Sequence, residues 1–174
     1  MGDLKEFPTR FTDPTIVKEF PTFNPSEILP KKKRYSCGLI FNSDQDEVLL
    51  IRKNRPAWQA GFFNGIGGKI EGDETPLEAM IREAYEETTI KDNNWKDLAV
   101  LEAKDFEVNF FSIYDQDFST IMPLTDELLY PIEVKNIFDR QYYFYNSIQR
   151  NLRFLIGLAL EPYGIQKPVI FWEE

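Results

Sequence analysis

Glu83, Glu86 and Glu87 fall at positions i, i+3 and i+4 of the segment PLEAMIREAYEE, beside Arg82 and shortly after Glu74. On a helix, three glutamates so spaced emerge as neighbours on one flank, with Cβ atoms about 5–6 Å apart. Like charges at that spacing destabilise an isolated helix by about 0.2–0.5 kcal/mol per pair, a penalty that a divalent cation among them removes. Magnesium takes oxygen ligands at about 2.0–2.1 Å, keeps several waters and completes its shell with substrate phosphates, so it suits a partial carboxylate cage. Mn²⁺ accepts the same octahedral oxygen set. The chain contains no histidine. Acid and base chemistry near neutral pH therefore falls to carboxylates, lysine, tyrosine or metal-activated water, and nucleophiles activated by histidine are excluded.

These residues need a scaffold, and the flanking sequence predicts one. Thr75 as a cap, Pro76 in the first turn, and Leu77, Ile81, Ala84 and Thr88 on one stripe predict an amphipathic helix with the glutamates on another flank. The run NGIGGK at Asn64–Lys69 is a glycine turn, and strand-like runs at Arg34–Phe41, Glu47–Lys53 and Phe62–Ile66 lead to it. Beyond the helix, Leu98–Ala103 and Phe106–Tyr114 read as a hairpin. Leu124–Tyr130 with Ile132–Val134 is ambiguous, and Asn151–Leu160 reads as a last helix, capped by Asn151 and followed by Pro162. Mixed strands with helices on either side predict an α/β sandwich over residues 32–174. Residues 1–31 carry five prolines and four phenylalanines with no sustained period. They predict an extended arm that packs on the domain or on a second subunit, a route to a homodimer.

The full pattern is Gly68, five residues, Glu74, seven residues, Arg82-Glu83, Ala84, any residue, Glu86-Glu87, any residue, then Thr89 and Ile90. It closely resembles the Nudix box, with every charged position filled and Thr89 where the family has glycine. The box covers 23 residues, and strands on both sides extend the resemblance from about residue 33 to about residue 161. The resemblance implies a Nudix-type α/β/α sandwich with a mixed sheet, and a metal site formed by Glu83, Glu86 and Glu87 with the backbone carbonyl of Gly67 or Gly68. It further implies Glu83 as general base, an Arg82–Glu74 ion pair orienting the loop against the helix, and Lys69 reaching phosphate. The residue types agree, because an arginine forked onto a carboxylate across a loop and a helix holds metal ligands in place. Thr89 in a left-handed cap would cost about 1–2 kcal/mol. The helix therefore either ends differently or tolerates strain, and the carboxylates before it are expected to survive.

A site of this kind hydrolyses a diphosphate: metal ions neutralise the phosphates and lower the pKa of a bound water from about 15.7 toward 7, and Glu83 takes its proton. From a nucleoside triphosphate the products are the monophosphate and pyrophosphate. Arg52 and Lys53, at the end of a strand before the glycine turn, are candidates to hold the outer phosphates, with solvated charges at a strand end as the alternative. Asn64 in NGIGGK resembles the base-reading asparagine of the oxidised-purine triphosphatase branch of the family. Asn151 similarly resembles the asparagine with which MutT-like members read purine edges. An asparagine offers a purine one acceptor and two donors; a plain turn residue at Asn64 and a helix cap at Asn151 are the competing roles. Trp58, Phe62, Phe63, Phe111, Tyr145 and Trp172 are within reach of a base, and Phe62 or Phe63 are favoured as the stacking wall because they flank Asn64. The expected substrate is a purine nucleoside triphosphate, including 8-oxo-dGTP. Another diphosphate (ADP-ribose, a dinucleoside polyphosphate, capped RNA) and a non-catalytic nucleotide sensor are the alternatives.

Composition fits these expectations. The 174 residues, 43% hydrophobic and 15% aromatic, suffice for one substantial core. A net charge of −9 argues against duplex nucleic acid as partner. The single cysteine, Cys37, permits no internal disulfide and reads as a small apolar strand residue. No signal peptide, long apolar run or lipidation motif is evident, so the expectation is a cytoplasmic protein without a membrane partner.

Overall fold

The computed structural model describes residues 32–161 and 168–171. The expected arm, its contact with a second subunit, Pro162 and Trp172 all lie outside these residues. The elements are β1 (Lys33–Phe41), β2 (Glu47–Arg52), β3 (Phe63–Asn64), β4 (Ile66–Lys69), α1 (Pro76–Glu87), β5 (Lys96–Glu102), β6 (Phe106–Ile113), β7 (Leu128–Glu133), α2 (Val134–Phe138), α3 (Arg150–Ala159) and β8 (Val169–Phe171).

The sheet is mixed, with β1 parallel to β6, β5 parallel to β8 and the other ladders antiparallel. Its organising feature is a fork. β1 pairs with β2 only at Ile40–Leu49 and Phe41–Val48, and the two strands then part. Into the gap run the residues read as one strand from Phe62 to Ile66. The structure divides them, with β3 on the β2 side (Ile51–Asn64, Arg52–Phe63) and β4 on the β1 side (Tyr35–Lys69 to Gly38–Ile66). Gly65 stands at the crossing, where a Cβ would lie 2.7 Å from both Cys37 Sγ and the Gly38 carbonyl. The glycine turn is thereby built into the sheet, directly before the box helix.

Strand alternation divides the core into two layers. Cys37, Leu39, Phe41, Val48 and Leu50 face one side with Ile137 of α2 and Leu152, Leu155 and Ile156 of α3. Ile40, Leu49 and Ile51 face the other with Ile66, Trp95, Phe111 and the α1 residues Met80 and Ala84. The result is an α/β/α sandwich. Burial in α1 follows Ala79, Met80, Ala84 and Glu87, so the helix is rotated from the expected stripe and Leu77 is exposed at the rim. Placing Glu87 on the inner edge is what brings a carboxylate under the glycine turn.

The ambiguous stretch resolves into β7, paired along the whole of β2, followed by the short helix α2. β8, a three-residue strand on β5, was not expected from the sequence. Among the described residues no helix is long and apolar enough to cross a membrane.

Candidate active site

The box helix starts where its residues dictate. Thr75 accepts the Glu78 N–H at 3.2 Å and Glu78 returns to the Thr75 N–H at 2.8 Å, a reciprocal cap ahead of Pro76. It ends without left-handed backbone: Thr88 is the C-cap with φ −132°, its N–H bonds Ala84 O at 3.0 Å, and its hydroxyl also donates to Ala84 O. Thr89 is not among the residues with positive φ. Its hydroxyl instead joins the 120–122 loop, donating to Thr120 O and accepting the Met122 N–H, both at 3.3 Å. The departure from the family's glycine is thus absorbed by a hydroxyl cap, without strain.

Arg82 organises the outer half of the site. Its Nε and Nη2 bond the two Glu74 oxygens at 2.8 and 3.0 Å, Nη2 also reaches Lys69 O at 3.1 Å, and Nη1 donates to Glu83 at 2.9 Å and Glu86 at 3.0 Å. Loop and helix are therefore clamped by one planar fork. Arg82 and a backbone N–H hold the Glu74 carboxyl down at about 2, below its ordinary 4.5. A depressed carboxyl stabilises the fold above its unfolded value, and that stability is lost as pH falls through about 2. Glu74→Gln is expected to flatten the decline in urea midpoint between those two pH values; an unchanged slope would remove Glu74 from the clamp.

The glycine turn supplies the floor. Gly67 has φ +141° and donates its N–H to Glu87 Oε2 at 2.8 Å, and a Cβ there would stand 2.2 Å from Ser36 O. A Cβ on Gly68 would fall 2.5–2.7 Å from the Glu83 carboxylate atoms. Glycine at 67 is required by backbone conformation, and a side chain at 68 would displace the Glu83 carboxylate from its seat. Gly67→Ala is expected to cost about 2–4 kcal/mol, read as a urea midpoint; a cost near zero would show that β4 can relax.

The inner half was only partly foreseen. Lys53 is 9% exposed, and its ammonium lies 2.6 Å from Glu87 Oε1 and 3.1 Å from Glu127 Oε2. Burial pulls the Lys53 pKa down, but Glu87 and Glu127 more than offset this and hold it above the ordinary lysine value. Burial likewise pushes Glu87 and Glu83 up, against the pull of Lys53 on the first and of Arg82 on the second. Glu127 is the residue that sequence reasoning missed. It sits 5% exposed ahead of β7, fixed by the Asn54 N–H at 2.6 Å, while Asn54 Nδ2 and Arg55 bond the neighbouring Asp126. No local spacing rule links it to a helix that ended at Glu87; the pairing of β2 with β7 brings it in.

The remaining candidates divide by position. Arg52 and Lys69 are exposed at the ends of β2 and β4. Asn64 is half-buried and its Oδ1 accepts the Gly65 N–H at 2.9 Å, so the turn role is present; the amide nitrogen and a second lone pair remain for a ligand. Phe63 is fully buried, edge-on to Tyr130 and Phe144, and belongs to the core, as does Phe111. Phe62, 37% exposed, is the flanking ring with a free face. Asn151 does not cap α3: the N-cap is Gln149, because the turn before the helix is anchored by the Gln149 N–H on Phe63 O at 3.2 Å. Asn151 is exposed one residue inside the helix. That same bond brings the first turn of α3 beside β3 and Asn64. Trp58 is exposed, and Tyr145 is stacked under Arg153 with the guanidinium 3.7 Å from the ring centre.

As the side chains stand, no three acidic or sulfur groups among the described residues are at the spacing of a filled metal site. Arg82 lies between Glu83 and Glu86, and Lys53 lies on Glu87. The donors nevertheless fit a hard divalent cation: they are carboxylate oxygens around a glycine floor, and the Glu83 carboxylate takes the place that a Cβ on residue 68 would fill.

A forked mixed sheet between helical layers, with a glutamate-bearing helix under a glycine turn, defines an α/β/α sandwich with its carboxylates gathered at one edge of the box helix. The NUDIX domain family model matches residues 32–133, and the chain belongs to the Nudix hydrolase family. It is 38% identical over 60 residues to the 8-oxo-dGTP diphosphatase of Escherichia coli K12, covering 34% of this chain and 46% of that protein. It is 40% identical over 75 residues to the mouse diphosphoinositol polyphosphate phosphohydrolase 2, covering 42% and 40%. The chain thus spans under half the length of each relative. In fold it is similar to a solved MutT from work on the Aliivibrio salmonicida and Vibrio cholerae proteins (TM-score 0.59, 22% identity, 74% of this chain and 98% of that one). It is also similar to a Nudix hydrolase from Nitrosomonas europaea (TM-score 0.60, 16% identity, 82% and 81%).

Proposed function

We propose that the protein is a divalent-metal-dependent pyrophosphohydrolase that converts purine nucleoside triphosphates, 8-oxo-dGTP among them, to the monophosphate and pyrophosphate. The observation that carries this reading is that the box helix seats Glu83 over Gly68 and Glu87 on the Gly67 N–H, in a glycine turn whose first residue is Asn64. Glu83, Glu86 and Glu87, with the carbonyl of Gly67 or Gly68, would hold Mg²⁺ or Mn²⁺. When bound, the ion supplies charge neutralisation for the diphosphate and acidity to attacking water. Glu83, seated over Gly68, would accept the proton of the attacking water. Arg52 and Lys69 offer exposed charge to the outer phosphates. Asn64, with its amide nitrogen open, and Phe62, 37% exposed, would read and stack the base.

The mouse relative's name supports a second reading, a diphosphoinositol polyphosphate substrate. So crowded an array of phosphates calls for a strongly basic surround. The net charge of −9 and the carboxylate-lined site favour the nucleotide instead. Mass spectrometry of products from a panel of dGTP, 8-oxo-dGTP, the other dNTPs, ADP-ribose and a diphosphoinositol polyphosphate with Mg²⁺ tests both. Monophosphate plus pyrophosphate from guanine nucleotides is the expected result; turnover of the inositol compound alone would overturn it. Asn64→Ala is expected to reduce kcat/KM for the preferred base about 10–100-fold and for other bases far less. Equal loss on every base would leave Asn64 as a turn residue only.

A further inference from the structure

We propose that Lys53 is the internal cation of this site. It holds Glu87 and Glu127 together in the metal-free protein, yields Glu87 to an arriving divalent cation, and then turns its ammonium to the diphosphate. The inference rests on the metal reading above.

The backbone of Lys53 is fixed, since its N–H bonds Phe62 O at 2.9 Å and its carbonyl accepts the Gly61 N–H at 2.8 Å. Only the side chain can move. Its ammonium is buried against two carboxylates, 2.6 Å from Glu87 Oε1 and 3.1 Å from Glu127 Oε2. The other Glu87 oxygen is taken by the Gly67 N–H at 2.8 Å. A metal ion on Glu87 must therefore share the carboxylate with a positive charge in a pocket where screening is weak. Lys53 has the means to leave, because a four-carbon stem carries its point charge through several rotamers. Glu127 has a reason to stay, because its Oε1 keeps the Asn54 N–H at 2.6 Å. A diphosphate bound to metal on Glu87 brings its oxygens within reach of a lysine that was itself on Glu87. Metal and diphosphate binding are then linked through one ammonium.

The full chain is titrated with Mn²⁺ alone, free Mn²⁺ being followed by electron paramagnetic resonance, beside Lys53→Met. The variant is expected to bind Mn²⁺ about tenfold tighter, and equal or weaker binding by the folded variant overturns the proposal. Acylation of wild-type lysines, read peptide by peptide by mass spectrometry, gives a second measurement that decides alone should Lys53→Met not fold. Lys53 labelling is expected to rise severalfold when Mg²⁺ is added without nucleotide. No rise in protein that demonstrably binds the metal overturns the proposal and leaves the metal reading standing. Absence of Mn²⁺ binding by wild type overturns both.

Discussion

Glu83→Gln is expected to lower kcat by about 10²–10⁴-fold with the fold intact. The Glu83 side chain is 15% exposed, held by Arg82 at 2.9 Å and seated over Gly68. Glutamine preserves its shape and one acceptor oxygen but cannot take a proton or offer an anionic ligand. Arg82 keeps Glu74 and Glu86, so the clamp survives the change. Removing a carboxylate that burial already disfavours leaves stability within about 1 kcal/mol of wild type. Steady-state kinetics beside urea midpoints checks both claims. Near-normal kcat in the glutamine variant would transfer the base role to another carboxylate, with Glu127 first in line.

Arg82→Lys is expected to weaken Mn²⁺ binding about 10–100-fold and to cost about 1–3 kcal/mol of stability. Charge is conserved, so the effect isolates geometry. The guanidinium spans both Glu74 oxygens, Lys69 O, Glu83 and Glu86 at 2.8–3.1 Å. A lysine ammonium has three donors and no planar fork, so it cannot keep loop and helix in register while restraining two glutamates. Because Arg82 and Glu74 are each about one-quarter exposed, the stability term is smaller than for a fully buried pair. Metal affinity unchanged in the lysine variant would show that the carboxylates are positioned by helix packing alone.

The class of fold and the grouping of the outer-site side chains were legible in the residue pattern alone. Helical spacing fixes Glu83, Glu86 and Glu87 as neighbours whatever surrounds them. The Arg82–Glu74 clamp could likewise be read from the box, and β1 and β2 were legible as apolar runs because both faces are buried. The contacts between elements distant in the chain emerged only with the packing of the sheet. The β1–β2 fork threads the glycine turn, and α1 rotates until Glu87 rather than Leu77 faces inward. Lys53, read as a phosphate ligand, lies between Glu87 and Glu127, partners 34 and 74 residues away. Asn151 gives up the cap of α3 to Gln149, since the Phe63 carbonyl fixes the turn before the helix. Periodicity reports which residues share a face; which side chain a buried charge meets depends on the pairing of strands far apart in sequence, and no local pattern encodes that.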